Sequence, residues 1–415
     1  MNIKQLIKVL GPGLMWAGAA VGVSHLVQST RAGANFGFEL LWVLILANII
    51  KYPFFEFGPR YAASTGKHLV DGYKEIGRWA VALYAILTVA TMFIIQGAIT
   101  IVTAGLLANI LGLHISMLAI SAILLIVTMV IIAIGRYSVL DKVMKIIILT
   151  LTLSTIIAVI SAFNVGFHPN PEFAKHFDWT IAADFAFLIA FVGWMPAPID
   201  ISIWHSFWSV AKQKENNEKP NLKNSLLDFN IGYIGTAILA MGFLTLGAVF
   251  MYGTGESFSP KGTVFAGQLI NLYTKSIGHW AYVIIAVAAL ATMFSTTLTC
   301  LDAYSRVLTP ATKILLPKYK IDTKIMNWIW LLLVVVGSLL IIGMFVSSMR
   351  FMVDLATTIS FVSAPILAYL NFKVVTNNTM PKEGQPPFWL NIYAKIGLLF
   401  LSLFSITYLI WKFVL

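Results

Sequence analysis

The chain has 415 residues, of which 59% are hydrophobic and 11% charged, with a net charge of +11 and a mean hydropathy of +0.85. A soluble domain carries about 25% charged residues, so the composition excludes a soluble enzyme or nucleic-acid-binding domain and predicts an all-α integral membrane protein. The one cysteine, Cys300, excludes an intramolecular disulfide.

Apolar stretches long enough to cross a bilayer fall near 12–33, 38–62, 79–111, 115–135, 143–163, 181–210, 228–252, 279–305, 326–346, 352–372 and 387–411, eleven in all. Lys4 and Lys8 precede a full-length span rather than a cleavage site, so no secretory signal peptide is expected. Connections predicted on one side hold Arg60, Lys67, Lys74, Arg78, Arg136, Lys142 and Lys145, then Lys212, Lys214, Lys219 and Lys223. The same side continues with Arg306, Lys313, Lys318, Lys320, Lys324, Lys373 and Lys382, against Lys175, Lys261, Lys275 and Arg350 on the other. This positive-inside bias predicts a multi-pass plasma (inner) membrane protein with a cytoplasmic N-terminus and an extracytoplasmic C-terminus. It accounts for the basic charge without nucleic acid. The longer connections, 164–180, 211–227 and 253–278, are too short for an enzyme domain, so residues 1–415 read as a single membrane domain.

Two spans are interrupted. In the first, Gly18-Ala-Ala-Val-Gly-Val-Ser-His25 puts small residues and a histidine at mid-span. Gly18 and Gly22 permit close helix packing, whereas an ionisable group at that depth points to a cavity or a partner. In the sixth, Trp194-Met-Pro-Ala-Pro-Ile-Asp200 carries two prolines that preclude a continuous helix. Free backbone groups at membrane depth survive only beside protein or a polar cavity. The breaks lie five spans apart, and an odd offset inverts the second repeat relative to the first. The prediction is a LeuT-like 5+5 inverted repeat with discontinuous helices 1 and 6: repeat 1 at about 12–163, repeat 2 at about 181–372, and an additional helix at about 387–411. Its substrate site lies at Gly22, Ser24, His25, Trp194, Met195, Ala197 and Asp200.

Further polar groups sit inside spans. Glu56 and Arg60 are spaced for an i,i+4 ion pair or a gate. Lys51 is expected to snorkel or to pair with an acid of another span, and Asn48 to bond to the broken region. Ser295, Thr296 and Thr299 form a hydroxyl cluster suited to helix packing or, with carbonyls of span 1, to a Na⁺ site. Asp302 and Arg306 are expected to pair near the inner face. Asp354 pairs at an outer gate with Arg350 or Arg31, or is solvated.

Gly11-Pro-Gly13, Gln28-Ser-Thr-Arg-Ala-Gly-Ala-Asn-Phe-Gly37, Leu41-Trp-Val-Leu-Ile-Leu-Ala-Asn48, Arg60 with Thr65-Gly-Lys67, and Met195-Pro196 together resemble the NRAMP family of divalent-metal transporters. The resemblance implies alternating access around spans 1 and 6, with no enzymatic activity. The family's Asp-Pro-Gly-Asn metal motif falls on Gly22, Val23, Ser24 and His25, and its Met-Pro-His-Asn on Met195-Pro-Ala-Pro198. The acidic pair of span 3 falls on the stretch beginning at Gln96, and no acid occurs between Trp79 and Leu140. His205 matches a second family histidine if three residues are inserted. The implied metal ligands are His25, Met195 and Asp200, with Gln96, His205, Asp302 and Arg306 on the pathway beside Glu56 and Arg60. Two neutral ligands compensate a dication poorly, which leaves three readings open: metal-cation transport through an altered site, transport of a small organic solute such as an amino acid, or a membrane scaffold or receptor. No cofactor is expected. The coupling ion is H⁺ or Na⁺, and the protein is expected to act as a monomer in the lipid bilayer.

Overall fold

The computed structural model describes residues 11–134, 137–216, 221–346 and 348–413, without the side chains of 137–148 and 216. Of the charges counted above, Lys4, Lys8, Arg136 and Lys219 lie outside the described residues, as do the side chains of Lys142 and Lys145. The first interrupted helix comprises α1 (Pro12–Ala20), a π-helical turn (Ser24–Ser29) and α2 (Thr30–Phe36). Then come α3 (Leu41–Thr65), α4 (Leu69–Ile76), α5 (Arg78–Leu111), α6 (Met117–Ile134) and α7 (Tyr137–Val165). The second interrupted helix comprises α8 (Ala182–Gly193) and α9 (Asp200–Asn216), followed by α10 (Leu222–Phe250), α11 (Gly262–Ile277), α12 (Tyr282–Leu315), α13 (Thr323–Phe345), α14 (Met349–Val375) and α15 (Phe388–Phe413).

Among the described residues, eight helices are long and apolar enough to cross a membrane. The protein is therefore an all-α, multi-pass membrane protein. Burial separates centre from rim. The most apolar stretches of α3, α5 and α12 are 67% buried, whereas those of α6 and α13 are 28% and that of α15 is 22% buried, leaving aliphatic faces for lipid. Two helices were not expected from the sequence. α4 fills part of the 63–78 connection, and α11 fills much of 253–278. α11 buries Phe265, Leu269, Leu272 and Tyr273 while its other face stays open, and it starts where Gly262 abuts Gly105 of α5. A one-sided helix of this length carries too little apolar residue to read as a span.

Long-range hydrogen bonds define the two ends of the bundle. At the basic end, Asp228 of α10 accepts from Gly11 N at 3.0 Å and Gly13 N at 2.7 Å, capping α1. Nearby, Leu69 N donates to Ser206 Oγ and Arg78 to Ile314 O. At the opposite end, Glu39 accepts from Phe177 N and Asn170 N donates to Gly253 O. Helix α10 runs along the whole first interrupted helix at backbone contact. A Cβ on Gly232 would lie 2.4 Å from Gly13 O, one on Gly33 1.9 Å from Leu244 O, and one on Gly247 2.1 Å from Thr30 O. Small residues are what allow helices to approach this closely.

Candidate functional site

The first break begins where α1 stops at Ala20 and Val21 leaves helical geometry (φ −76°, ψ 87°). Gly22 occupies the gap, and a Cβ there would lie 2.9 Å from Thr296. The carbonyls released by the break turn to α12. Thr296 Oγ1 is 3.3 Å from Gly18 O, 3.4 Å from Val21 O and 3.0 Å from Thr292 O. A hydroxyl has one proton for these three acceptors. Thr299 turns back on its own helix, to Ser295 O and Thr296 O.

The second break runs from Trp194 to Ile199, after α8 has ended at Gly193. Gly193 lies against α14, where an added Cβ would be 2.1 Å from Thr357 O, and Trp194 Nε1 donates to Ser360 Oγ at 2.7 Å. On the other side of the break, α9 meets α3 through Gly58, whose Cβ would be 2.2 Å from Ser202 O. The last two carbonyls of α8 are taken by Lys51. This fully buried side chain donates from Nζ to Val192 O at 2.6 Å and Gly193 O at 2.9 Å. The expectation that Lys51 snorkels or pairs with an acid is thus replaced by a cap on a broken helix, because α3 places it at the level of the break and too deep to reach water.

Between the breaks lies a cavity lined by Ala20, Ser24, Trp194, Trp204, Thr296 and Cys300, with Ile95 and Ile99 of α5 behind it. It offers ≈ 20 Å³ to the centre of a water-sized sphere, room for one or two waters. Of the residues expected at a substrate site, Ser24 and Trp194 line it, and Gly22 sits at its edge against Thr296. His25 is fully buried and faces α10, with Nε2 3.0 Å from Thr236 O and Nδ1 2.7 Å from Ser24 Oγ. Met195 packs in an apolar cluster with Phe36, Leu40, Phe187 and Phe191. Asp200 and Ala197 are buried too, but neither they nor Met195 line the cavity. Asp200 opens α9 and interacts electrostatically with Tyr73, Tyr84, Tyr304 and Cys300. His25, Met195 and Asp200 therefore point three ways in this conformation.

The remaining polar residues arrange as follows. Gln96 of α5 donates to Thr297 O at 3.2 Å, and His205 is buried on α9 beside Phe229. Glu56 and Arg60 form a buried ion pair at 2.6 Å, with Arg60 also donating to Gly384 O. Asp302 and Arg306 pair at 2.8 Å. Asn48 turns its amide to Leu44 O on its own helix rather than to a break. At the end opposite the basic one, Arg31 of α2 grips Asp354 of α14 through two bonds of 2.6 and 3.1 Å. Gln28 supports the pair and Phe187 lies under the guanidinium. Outside it is a vestibule of ≈ 300 Å³ lined by Ala34, Lys175, Asp184, Phe187 and Arg350.

Asp228 was not singled out from the sequence, although it is the only acid between Glu218 and Glu256. The buried phenols of Tyr84 and Tyr304, which lack hydrogen-bond partners, carried no signal that separates them from packing aromatics.

Two interrupted helices meeting at a small cavity, in a bundle of apolar helices, are the architecture of discontinuous-helix secondary transporters. The family model described as "Natural resistance-associated macrophage protein-like" matches residues 13–411. An uncharacterized protein of Pasteurella multocida, PM0681, is 36% identical over 404 residues, 96% of this chain and 91% of that protein. The manganese transporter of Eremococcus coleocola has the same fold (TM-score 0.67, 12% identity, 97% of this chain and 86% of that one). So does MhsT in complex with L-phenylalanine (TM-score 0.61, 18% identity, 95% and 98% covered). The chain belongs to the Nramp family.

Proposed function

We propose that the protein is an NRAMP-type secondary transporter that carries metal cations across the membrane by alternating access, through a site that differs from the family's usual one. The match to the Nramp family over residues 13–411 carries this reading, and the small cavity between the two breaks gives the cation its place. No covalent chemistry is involved. The three interrupted or partly described segments, 12–36, 137–165 and 182–216, added to the eight long helices, support eleven spans. These divide as a single transport domain with repeats at about 12–163 and 181–372 and an additional helix at about 387–411. Basic residues concentrated at the end where α1 begins support a cytoplasmic N-terminus and an extracytoplasmic C-terminus. The Arg31–Asp354 end is then the outer one.

In the cation-loaded conformation, His25, Met195 and Asp200 converge by rearrangement of the two breaks, with Ser24 and Trp194 retained at the cavity. Spans 1, 2, 6 and 7 rock against spans 3, 4, 5 and 8. The coupling ion is H⁺ or Na⁺, and the crowd of oxygens at Gly18, Val21, Thr292 and Thr296 supports a Na⁺ site there. Purified protein should bind Mn²⁺ or Fe²⁺ saturably, and His25→Ala should weaken that binding. No saturable binding of any divalent ion, with stabilisation by an amino acid or other small solute, would transfer the assignment to an organic substrate. Uptake that persists without Na⁺ and is unchanged in Thr296→Val would remove the Na⁺ site.

A further inference from the structure

Among the described residues, Lys51 is the one fully buried lysine, and none of their acids lies within ion-pair distance of it. Taking a cation out of water without a counter-charge is costly. The titratable and charged groups of the elements packed around α3 leave it alone. On its own helix, Glu56 is occupied by Arg60. α8 offers Asp184, which pairs with Lys175, and α9 offers Asp200 and His205. α10 offers Tyr233, bonded to Asn48 O; α14 offers Asp354, bonded to Arg31; α15 offers Tyr393, bonded to Ile49 O, and Tyr408. None of them forms an ion pair with Lys51 among the described residues, and its hydrogen bonds are to carbonyls. What holds the ammonium is the negative end of α8, through Val192 O and Gly193 O. The next residue, Trp194, lines the cavity.

A half-helix C-terminus at a break is where transporters of this architecture receive positive charge. Here that place is filled from within. The arrangement bears on a problem of charge, since no acid lines the cavity in this conformation, and even with Asp200 drawn in, a dication would leave the charge of Lys51 uncompensated. Losing the proton from Lys51 does the same electrostatic work as gaining a carboxylate. Lysine is able to give up its proton when buried, which arginine is not.

We propose that Lys51 is a tethered counter-ion for the second break: its ammonium neutralises the carbonyl end of α8 while the cavity is empty, and entry of a divalent cation expels one proton from it to the solution from which the cation arrives. The amine keeps its nitrogen lone pair, the cation keeps its charge, and the net gain at the site is one charge instead of two. The inference rests on the metal-cation reading above.

Calorimetric titration of the purified full-length protein with Mn²⁺, in buffers of differing ionisation enthalpy, reads the proton directly. The expected result is release of about one proton per ion bound, with affinity rising about ten-fold per pH unit. Lys51→Met, which keeps the length and loses the charge, should release about one proton fewer per Mn²⁺ than wild type, with a correspondingly shallower pH profile. Lys51→Arg, which cannot release a proton, should bind at least ten-fold more weakly than wild type, and it covers the case in which Lys51→Met does not fold. Binding by wild type with no proton release, or an unchanged pH slope in the folded Lys51→Met variant, overturns the role of Lys51 alone. No binding of any divalent ion by wild type overturns the metal reading, and the proton exchange with it.

Discussion

Replacing Asp354 by asparagine keeps the shape of the side chain and removes the charge that faces Arg31. The arginine side chain is 4% exposed and the aspartate 32% exposed, so the pair sits at the boundary between a buried bridge and a surface one. Truncating one partner of a buried, hydrogen-bonded charge pair costs about 2–5 kcal/mol. Water at Asp354 argues for the low end, about 2 kcal/mol. Because the bridge ties α2 to α14, that loss falls on the state closed at this end and raises the ratio of open to closed protein by about thirty-fold. Cys300 reports it, being the chain's single cysteine and part of the cavity wall. In proteoliposomes, a small membrane-impermeant thiol reagent added from outside should modify Asp354→Asn about thirty-fold faster than wild type, until the open state dominates. Arg31→Lys, which loses the two-pronged grip but keeps a charge, should fall between them. An unchanged rate in a folded Asp354→Asn variant would refute the bridge as a gate at this end.

Other consequences can be measured on the same purified protein. Gly33→Ala sets a Cβ 1.9 Å from a backbone oxygen of α10, and overpacking of this kind costs about 1–3 kcal/mol or more, so its melting temperature in detergent should drop. Gly235→Ala meets nothing within 4 Å and should hold or raise that temperature, by up to about 1 kcal/mol of helix propensity; a drop equal to that of Gly33→Ala would discredit the packing argument. Asp228→Asn weakens the two bonds that cap α1 and should cost about 1 kcal/mol, with protease sensitivity rising first near Pro12. Asp322 caps α13 from outside the bundle, and the bonds from Lys324 N and Ile325 N hold its carboxyl below the usual carboxylate range. Its contribution is therefore present above the ordinary carboxylate pKa and lost as pH falls through the lower folded value, so the stability difference between wild type and Asp322→Ala should vanish in acid.

Both breaks were legible in the sequence because their signals are local. Prolines at 196 and 198, and Gly22 within an otherwise apolar run, cannot continue a helix whatever surrounds them. The directions of the side chains around them were not legible. Helical periodicity gives the face a residue occupies but not the neighbour that face meets, so His25 turning to α10 and Met195 joining the Phe187–Phe191 cluster had no trace in the chain. The partners of Lys51 escaped for a different reason. They are main-chain carbonyls, and a sequence lists side chains. Arg31 and Asp354 were candidates for each other because buried charges seek opposite charges, a rule that holds at any separation along the chain.

The glycine contacts along α10 bear on where the molecule can bend. α10 touches α1 at Gly13 and Gly232, and α2 at Gly33 and Gly247, backbone against backbone, with no layer of side chains to slide on. Although the first helix is interrupted, both of its halves lie directly against α10. Its gap bares the carbonyls of Gly18 and Val21 to Thr296. The halves of the second helix have separate anchors, α8 on α14 through Gly193 and α9 on α3 through Gly58. The linker from Trp194 to Ile199 thus joins two half-helices that are held by different neighbours.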